Sequence, residues 1–372
     1  MRVLLTNTTL AHRTGAELYV AELAVALSGR GHLPVVYSPL LGGLARELAA
    51  AGVPAVDDLA AIAEPPDLIH GQHHVETLTA LLFFPGVPGL FVCHGFEPWE
   101  EAPLLFPRLL RHVAVDVPTA ERLAAAGVPP ERIETVLNFV DLARFRPRPP
   151  LPRRPGRALV FSNNAAEGSH LPTVRAACAG AGIELEVAGI ASGRVAERPE
   201  ELLPGYDLVF AKGRAAIEAL AVGAAVVLCD AAGCGPMVTS GELDRLRPLN
   251  FGFRTFDQPL SAPAVSAQIA RYDPADAALV SAMMRQTASL DEAVDRYLDL
   301  YGQILAEHRA RGAGAADVVA ESRAGAAYLR WLDPYLKERG RALIDREALW
   351  RRVRALEDER DRLAESLRGG RS

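Results

Sequence analysis

The sequence predicts an α/β protein of two doubly wound parallel sheets followed by a helical C-terminal extension. Three observations predict it. Short apolar runs alternate with longer amphipathic ones over the first 145 residues. The alternation stops at "RFRPRPPLPRRPGR", residues 144–157, where five prolines stand among six arginines, and then restarts. Apolar strands alternating with helices build a parallel sheet covered on both faces, and no helix or central strand tolerates the proline-rich stretch.

In chain order, "RVLLTN" is a strand and "GAELYVAELAVALSGRG" a helix, with apolar positions near i, i+3, i+4 and a glycine stop. "LPVVYSP" is a strand, "LARELAAAG" a helix, "DLIHGQ" a strand and "VETLTALLFF" a helix. "GLFVCHG" and "HVAVDV" are strands, followed by the helix "TAERLAAAG". After the linker come the strand "ALVFSNN", the helix "LPTVRAACAGAG" and the strand "ELEVAGI". Then "YDLVFAKGRAAIEALAVGAAVVLCD" reads as strand, turn, helix, turn, strand. These runs predict an N-terminal domain over 1–146, a Pro/Arg linker over 147–157 and a second domain over 158–285. A helical return segment over 286–340 and a charged helical tail over 341–372 follow. In the tail, Leu349, Val353, Leu356, Leu363 and Leu367 are spaced by fours and threes, with Arg360 interrupting. The tail reads equally as a short coiled coil joining two copies or as a solvated helix.

Bulk properties exclude several classes. A net charge of −6 over 372 residues does not suit a nucleic-acid partner. The most apolar stretch, "LTALLFFPGVPGLFVC", is broken by Pro85, Gly86, Pro88 and Gly89 and is too interrupted to span a membrane. "MRVLLTNTT" reads as a first strand rather than a signal peptide, so a soluble cytoplasmic protein is expected. Cys93, Cys178, Cys229 and Cys234 form no Cys-x-x-Cys pair and read as reduced thiols. The cations are nearly all arginine; lysine occurs only at 212 and 337.

Several segments in this order resemble a known family. They are "TGAELYVAELAVALSGRGH", "PDLIHGQ", "FVCHG", "VAVDVPTAERLAAAGVPPERIETVLNFVDLARFRP" and "GRAAIEALAVGAAVV". Together they resemble the GT-B glycosyltransferases of the family-4 type over about residues 1–300. The resemblance implies two Rossmann-like domains around a cleft. It implies a nucleotide-diphospho sugar (UDP-, GDP- or TDP-linked) as co-substrate on the second domain and a hydroxyl-bearing acceptor on the first. Hexosyl transfer with retention and without an essential metal is implied too, and the chain contains no Asp-x-Asp triplet.

Without a metal, charge building on the departing diphosphate must be met by cations and helix N-terminal amides. The turn "KGR" supplies Lys212, Gly213 and Arg214 for that role. Glu218, one turn on, matches the family acid that accepts from the ribose hydroxyls; its bland reading is an ion pair with Arg214. Gly15 matches the glycine that lets the chain pass the donor phosphate, and a plain turn glycine is the alternative. His94, after the strand "LFVC", matches a histidine that contacts the reacting sugar. Glu97, Trp99 and Glu100 are a candidate acceptor lip. His70, His73 and His74 lack the spacing of a zinc site. Asn138 is read as fixing the linker's exit.

Three departures stand out. The family's second acid, eight residues before Glu218, is Phe210 here. Its diphosphate clamp of Arg and Lys reads Ser162, Asn163 and Asn164, without a cation. The stretch between "ELEVAGI" and "YDLVFA" is short by about one βα unit. Two rivals therefore stay open: a sugar-nucleotide epimerase or other GT-B relative, and a non-catalytic GT-B-like binding module.

Overall fold

The computed structural model describes residues 1–312 and 315–369, with side chains of the last helix from 318 to 362. Met1–Gly312 form one compact unit, and the terminal helix belongs to a second. The first unit holds two sheets.

The N-terminal lobe alternates β1 (Arg2–Thr6), α1 (Gly15–Gly29), β2 (Leu33–Tyr37), α2 (Gly43–Ala50), β3 (Ala55–Val56), β4 (Leu68–Gln72), α3 (His74–Phe83), β5 (Gly89–Cys93), β6 (Leu109–Ala114), α4 (Val117–Ala125) and β7 (Ile133–Thr135). Its seven parallel strands lie in the order β3-β2-β1-β4-β5-β6-β7. The C-terminal lobe runs β8 (Arg157–Phe161), α5 (Leu171–Gly180), β9 (Glu184–Ala188), α6 (Pro199–Leu202), β10 (Leu208–Ala211), α7 (Gly213–Val222), β11 (Ala225–Asp230), β12 (Gly233–Met237), α8 (Leu243–Leu246), α9 (Ala262–Ile269) and α10 (Pro274–Thr287). Its strand order is β12-β11-β10-β8-β9.

Two features depart from a regular doubly wound sheet, the first of them unexpected. The edge strand β12 is antiparallel to β11, because only Ala231 and Ala232 separate the two and no crossover fits in so short a turn. Between β9 and β10 the four-residue α6 and 3-10 turns stand where a full βα unit was missed in the sequence.

The central strands β4, β5, β10 and β11 are buried along their whole length, as their apolar runs require. β10 is fully buried along Leu208–Ala211, and Phe210 lies in the core between the sheet, α5 and α9. The opposite face packs on α7 and α10 through Ile217, Leu220, Val280 and Met284. In the N-terminal lobe Leu23, Leu27 and Val36 pack with α11 (Leu290–Arg311), which returns from the C-terminal lobe and buries Tyr297, Leu300 and Tyr301.

The Pro/Arg linker is a strap rather than a free spacer. The Arg148 amide donates to the Val222 carbonyl at 2.8 Å and its guanidinium meets Asp207 at 3.0 Å. Arg285 fastens the preceding segment by donating to the carbonyls of Phe145 at 2.6 Å and Leu142 at 3.2 Å. The two chain crossings between the lobes pair with each other, Val140 N–H to Ala288 at 2.8 Å and Leu290 N–H to Val140 at 3.1 Å. Beside them Arg247 donates to the Asn138 backbone carbonyl at 2.7 Å.

The last helix, α12 (Ala315–Gly369), runs 55 residues with Pro334 inside it. The two long helices thus part around Gly312 rather than near 340. Leu349, Val353 and Leu356 are exposed on α12; the side chains of Leu363 and Leu367, the rest of the expected seam, lie outside the described residues. No described helix is long and apolar enough to cross a membrane.

Candidate active site

Both sheets reverse their winding at a definite place. In the N-terminal lobe the crevice opens between β1 and β4; in the C-terminal lobe it opens between β8 and β10. Such switch points, at the carboxyl ends of the strands, are where doubly wound sheets receive ligands.

On the N-terminal side the turn before α1 is rigid. The Glu17 carboxylate, buried in the first turn, accepts from the amides of His12 at 2.9 Å and Thr14 at 2.8 Å. That capping fixes the segment Arg13-Thr14-Gly15 at the helix mouth. On the C-terminal side the loop after β8 carries Ser162 and Asn163. It is held by Ser162 N–H to Ala188 at 3.0 Å and Ala191 N–H to Asn163 at 3.0 Å.

These pieces meet. One gap of about 110 Å³ between the lobes is lined by Arg13, Gly15, Ser162, Asn163, Arg214 and Glu218, among others. Five of the eight residues expected to bind the donor thus share one cavity. A larger groove of about 400 Å³ lies behind it, against α1, α2 and the linker, and shares Arg13 and Leu18 with it.

Arg214 is the hub of the gap. Its Nε donates to Glu218 at 2.8 Å, one helical turn away, and its Nη2 pairs with Glu22 of α1 across the lobe boundary. The side chains of Arg214 and Glu22 are each 10% exposed and that of Glu218 5%. Arg144 of the linker extends the network, reaching Glu22 at 3.2 Å and Glu200 at 3.0 Å. Burial pushes the Glu218 carboxyl above its usual range, with Arg214 pulling it back. Arg214 is thus paired with Glu22 and Glu218 at once in this state.

Three expected residues stand outside the gap's lining. Lys212 turns its ammonium to Asp230 at the end of the neighbouring strand β11. The Gly213 amide donates to the Phe251 carbonyl at 2.9 Å, so it is not available to a phosphate; glycine is required there by a φ of +56° at the start of α7. Asn164 is exposed beyond the loop. The expectation that "KGR" as a unit offers cations and amides to the cleft is corrected in these particulars: β10 and β11 end side by side, and Asp230 captures the lysine.

His94 follows β5. Its ring stands edge-on to Tyr19 at 4.6 Å, and its Nε2 is buried without a hydrogen-bond partner among the described residues. Burial lowers its pKa to about 4, so the ring is neutral near pH 7. The backbone amide of His94 donates to Glu101 at 2.9 Å. Glu101, buried in the 3-10 turn Trp99–Glu101, also faces His73 Nε2 at 3.4 Å. The Thr8 amide donates to His73 Nδ1 at 3.0 Å, so His73 bridges the N-terminal switch point with its backbone at φ +60°. Nearby, Asn7 Oδ1 and both side-chain amide atoms of Gln72 are buried without partners among the described residues. Buried polar atoms of this kind call for a ligand or water.

The three histidines of "HGQHH" diverge. His70 Nδ1 meets the Tyr301 hydroxyl at 2.6 Å, His73 faces Glu101, and His74 Nε2 meets the Trp99 carbonyl at 3.1 Å. Among the described residues no group of three metal-binding side chains converges. Trp99 stacks edge-on against His74 at 4.5 Å and Glu97 and Glu100 are exposed; the buried acid of that loop is Glu101.

Sequence reasoning missed Arg13, Glu22 and Glu101. Arg13 had a signal, standing two residues before the singled-out Gly15. Glu22 had none, because its partner is 192 residues away.

Residues 13–144 match the family model described as Glycosyltransferase Family 4. The chain has the GT-B fold, and the family match lies within its N-terminal lobe. A glycosyltransferase from Rickettsia africae superposes with a TM-score of 0.60 at 16% identity, covering 82% of this chain and 98% of that one. HepE of Anabaena, solved with UDP and glucose, gives 0.60 at 15% identity over 81% and 99%. Sucrose-phosphate synthase of Thermosynechococcus elongatus gives 0.57 at 15% identity over 82% and 99%. No functionally curated protein matches the sequence. The matched segment begins at Arg13, at the turn that faces the gap.

Two predictions arise here. Gly189 lines the gap, and a Cβ there would lie 1.9 Å from the Ser162 carbonyl oxygen. Gly189→Ala is expected to cost about 2–3 kcal/mol in urea unfolding and to displace the Ser162–Asn163 loop. The second concerns acid. Burial lowers His70 to about 3 and His74, His94 and His112 to about 4. Between the ordinary value of 6.5 and those values the unfolded chain binds protons that the native one does not. Stability therefore falls as pH falls through that window, by up to about 1.4 kcal/mol per pH unit for each histidine. His70→Gln is expected to flatten the slope of unfolding free energy against pH by about one proton.

Proposed function

We propose that the protein is a glycosyltransferase that moves a hexosyl group from a nucleoside-diphosphate sugar to a hydroxyl of an acceptor, with retention and without a metal. The observation that carries this reading is the single inter-lobe gap that gathers Arg13, Gly15, Ser162, Asn163, Arg214 and Glu218. The two arginines stabilise negative charge as it builds on the departing diphosphate. Glu218, once released from Arg214, accepts from the vicinal ribose hydroxyls with its two oxygens. Neutral His94 offers a hydrogen bond to the transferred sugar from the N-terminal lobe. The acceptor sits toward the strand ends, where Asn7 Oδ1 and the Gln72 amide are buried without partners among the described residues, with the partly exposed Trp99 as a further contact.

The gap of about 110 Å³ is smaller than the ~300–1,000 Å³ of ordinary ligand sites. The described state is therefore closed, and the donor enters when the lobes part. A second reading, a non-catalytic GT-B module, draws on the same observation, since its ion pairs already fill the place of a diphosphate.

A thermal-shift series with UDP, GDP, TDP and ADP and their sugars separates the two. On the enzyme reading one base stabilises the protein, by about 2.7 kcal/mol at a hundredfold excess over Kd, and its sugar is consumed when an acceptor is present. Absence of stabilisation by all four overturns that reading.

A further inference from the structure

β11 and β12 set two thiols face to face. Cys229 and Cys234 are register partners across the antiparallel pair, with residues 230–233 between them in the chain. The Cys234 amide donates to the Gln258 carbonyl at 2.9 Å, and the Gln258 amide donates to the Cys234 carbonyl at 3.1 Å. Both backbone groups of Cys234 therefore point away from β11. Cys229 and Cys234 form a non-hydrogen-bonded pair, the narrow kind, with Cα atoms about 4.5 Å apart. A disulfide spans Cα separations of about 4.4–6.8 Å, so the backbone already has the spacing that one requires. The two side chains leave the same face of the sheet, into the cluster that α5 and α9 cover with Val174 and Val265.

Strand pairing singles out these two of the four cysteines. Cys178 belongs to the same cluster but stands on α5, and Cys93 lies on β5 in the other lobe. All four are reduced. Burial raises the Cys229 thiol well above its ordinary value and pushes Cys234 up to about 11, so little thiolate forms while the hairpin is closed. Access comes from the position of the strand. β12 is the five-residue edge of its sheet, and the turn residues Ala231 and Ala232 are exposed. Local opening of such an element costs less than global unfolding.

We propose that Cys229 and Cys234 are a modification site at which a peroxide closes an intrachain disulfide. The Cys234 thiolate attacks one oxygen of hydrogen peroxide, the O–O bond breaks, hydroxide leaves and a sulfenic acid remains. The Cys229 thiolate attacks the Cys234 sulfur and expels a second hydroxide. The two thiol protons neutralise the two hydroxides, so two thiols and one hydrogen peroxide give one disulfide and two waters. The bond fastens the turn that carries Asp230, the partner of Lys212.

The proposal is independent of the donor site and is tested on the full chain. The folded protein is treated with hydrogen peroxide for several hours, denatured and alkylated, and its intact mass and peptides are read. The expected product has lost two hydrogens and has two of its four thiols blocked, both in the peptide that holds residues 229 and 234. Dithiothreitol is expected to restore all four. Cys229→Ser and Cys234→Ser are each expected to lose the bond, and Cys178→Ala to keep it. The wild-type peptide map decides the matter where a variant fails to fold. Four alkylated thiols after treatment, a disulfide that includes Cys93 or Cys178, or separate sulfinic acids on Cys229 and Cys234 each overturn the proposal.

Discussion

Arg214→Ala is expected to lower the stability of the α/β unit by about 3–5 kcal/mol, the largest loss of any single substitution in the gap. Removal of the guanidinium strands two carboxylates, Glu22 and Glu218, that share it at low exposure. Each has given up hydration for the pairing, and an unpaired buried charge is costlier than the pair was favourable. The loss carries a pH signature. Burial already raises the Glu218 carboxyl, and without Arg214 nothing close pulls it down except Arg144 farther off. A group whose folded pKa is raised holds its stabilising proton at low pH and loses it as pH rises. The deficit of Arg214→Ala is therefore expected to shrink between pH 8 and pH 5 in urea unfolding. A deficit that stays constant over that range contradicts the assignment. Replacing the trio together, Glu22→Leu, Arg214→Met and Glu218→Leu, is expected to recover most of the stability while abolishing donor binding, since apolar replacement of buried ion pairs is close to neutral.

Glu22→Gln is expected to act in the opposite direction on ligand affinity. Glu22 belongs to α1 of the N-terminal lobe and Arg214 to α7 of the C-terminal lobe, so their pair holds the gap shut. The lobes also touch on the far side of the cleft, where Arg254 meets Glu121 and Phe253 lies 5.8 Å from Phe96. On the proposed reading, a donor diphosphate and the Glu22 carboxylate compete for the Arg214 guanidinium. If only a fraction of molecules is open, apparent affinity is reduced by that fraction. Weakening the latch by about 1.4 kcal/mol raises affinity about tenfold, and Glu22→Gln retains the shape of the side chain while removing its charge. Isothermal titration with the diphosphate that the thermal series selects is the measurement. Equal or weaker binding by the variant removes Glu22 from the account.

The fold was legible because its signal is local. Strands such as "LVFA" and "VVLC" are apolar at every position, the helices between them have turn glycines at their ends, and such alternation buries both kinds of element in a parallel sheet covered by helices. The placement of α7 was legible for the same reason, and the i, i+4 spacing of Arg214 and Glu218 offered their pairing as the alternative to a donor-site role. What could not be read was tertiary. Nothing in "GAELYVAELAVAL" tells Glu22 from a solvated helix carboxylate, because its partner lies beyond the linker. Lys212 drew attention as a rare lysine, yet its direction was decided by Asp230 at the end of an adjacent strand. Phe210 shows the limit of carrying a motif across: its position lies inside β10, in the core, where an acid could not reach a sugar. The Cys229–Cys234 register, opposite each other on β11 and β12, was likewise hidden until the antiparallel edge was seen.

The most direct test is a crystal structure of the complex with the selected nucleoside diphosphate. The account predicts the diphosphate in the gap beside Gly15 and Ser162, with Arg13 and Arg214 within hydrogen-bonding distance of its oxygens and Glu22 parted from Arg214. A nucleotide bound elsewhere, or bound above an intact pair of Glu22 and Arg214, would contradict it.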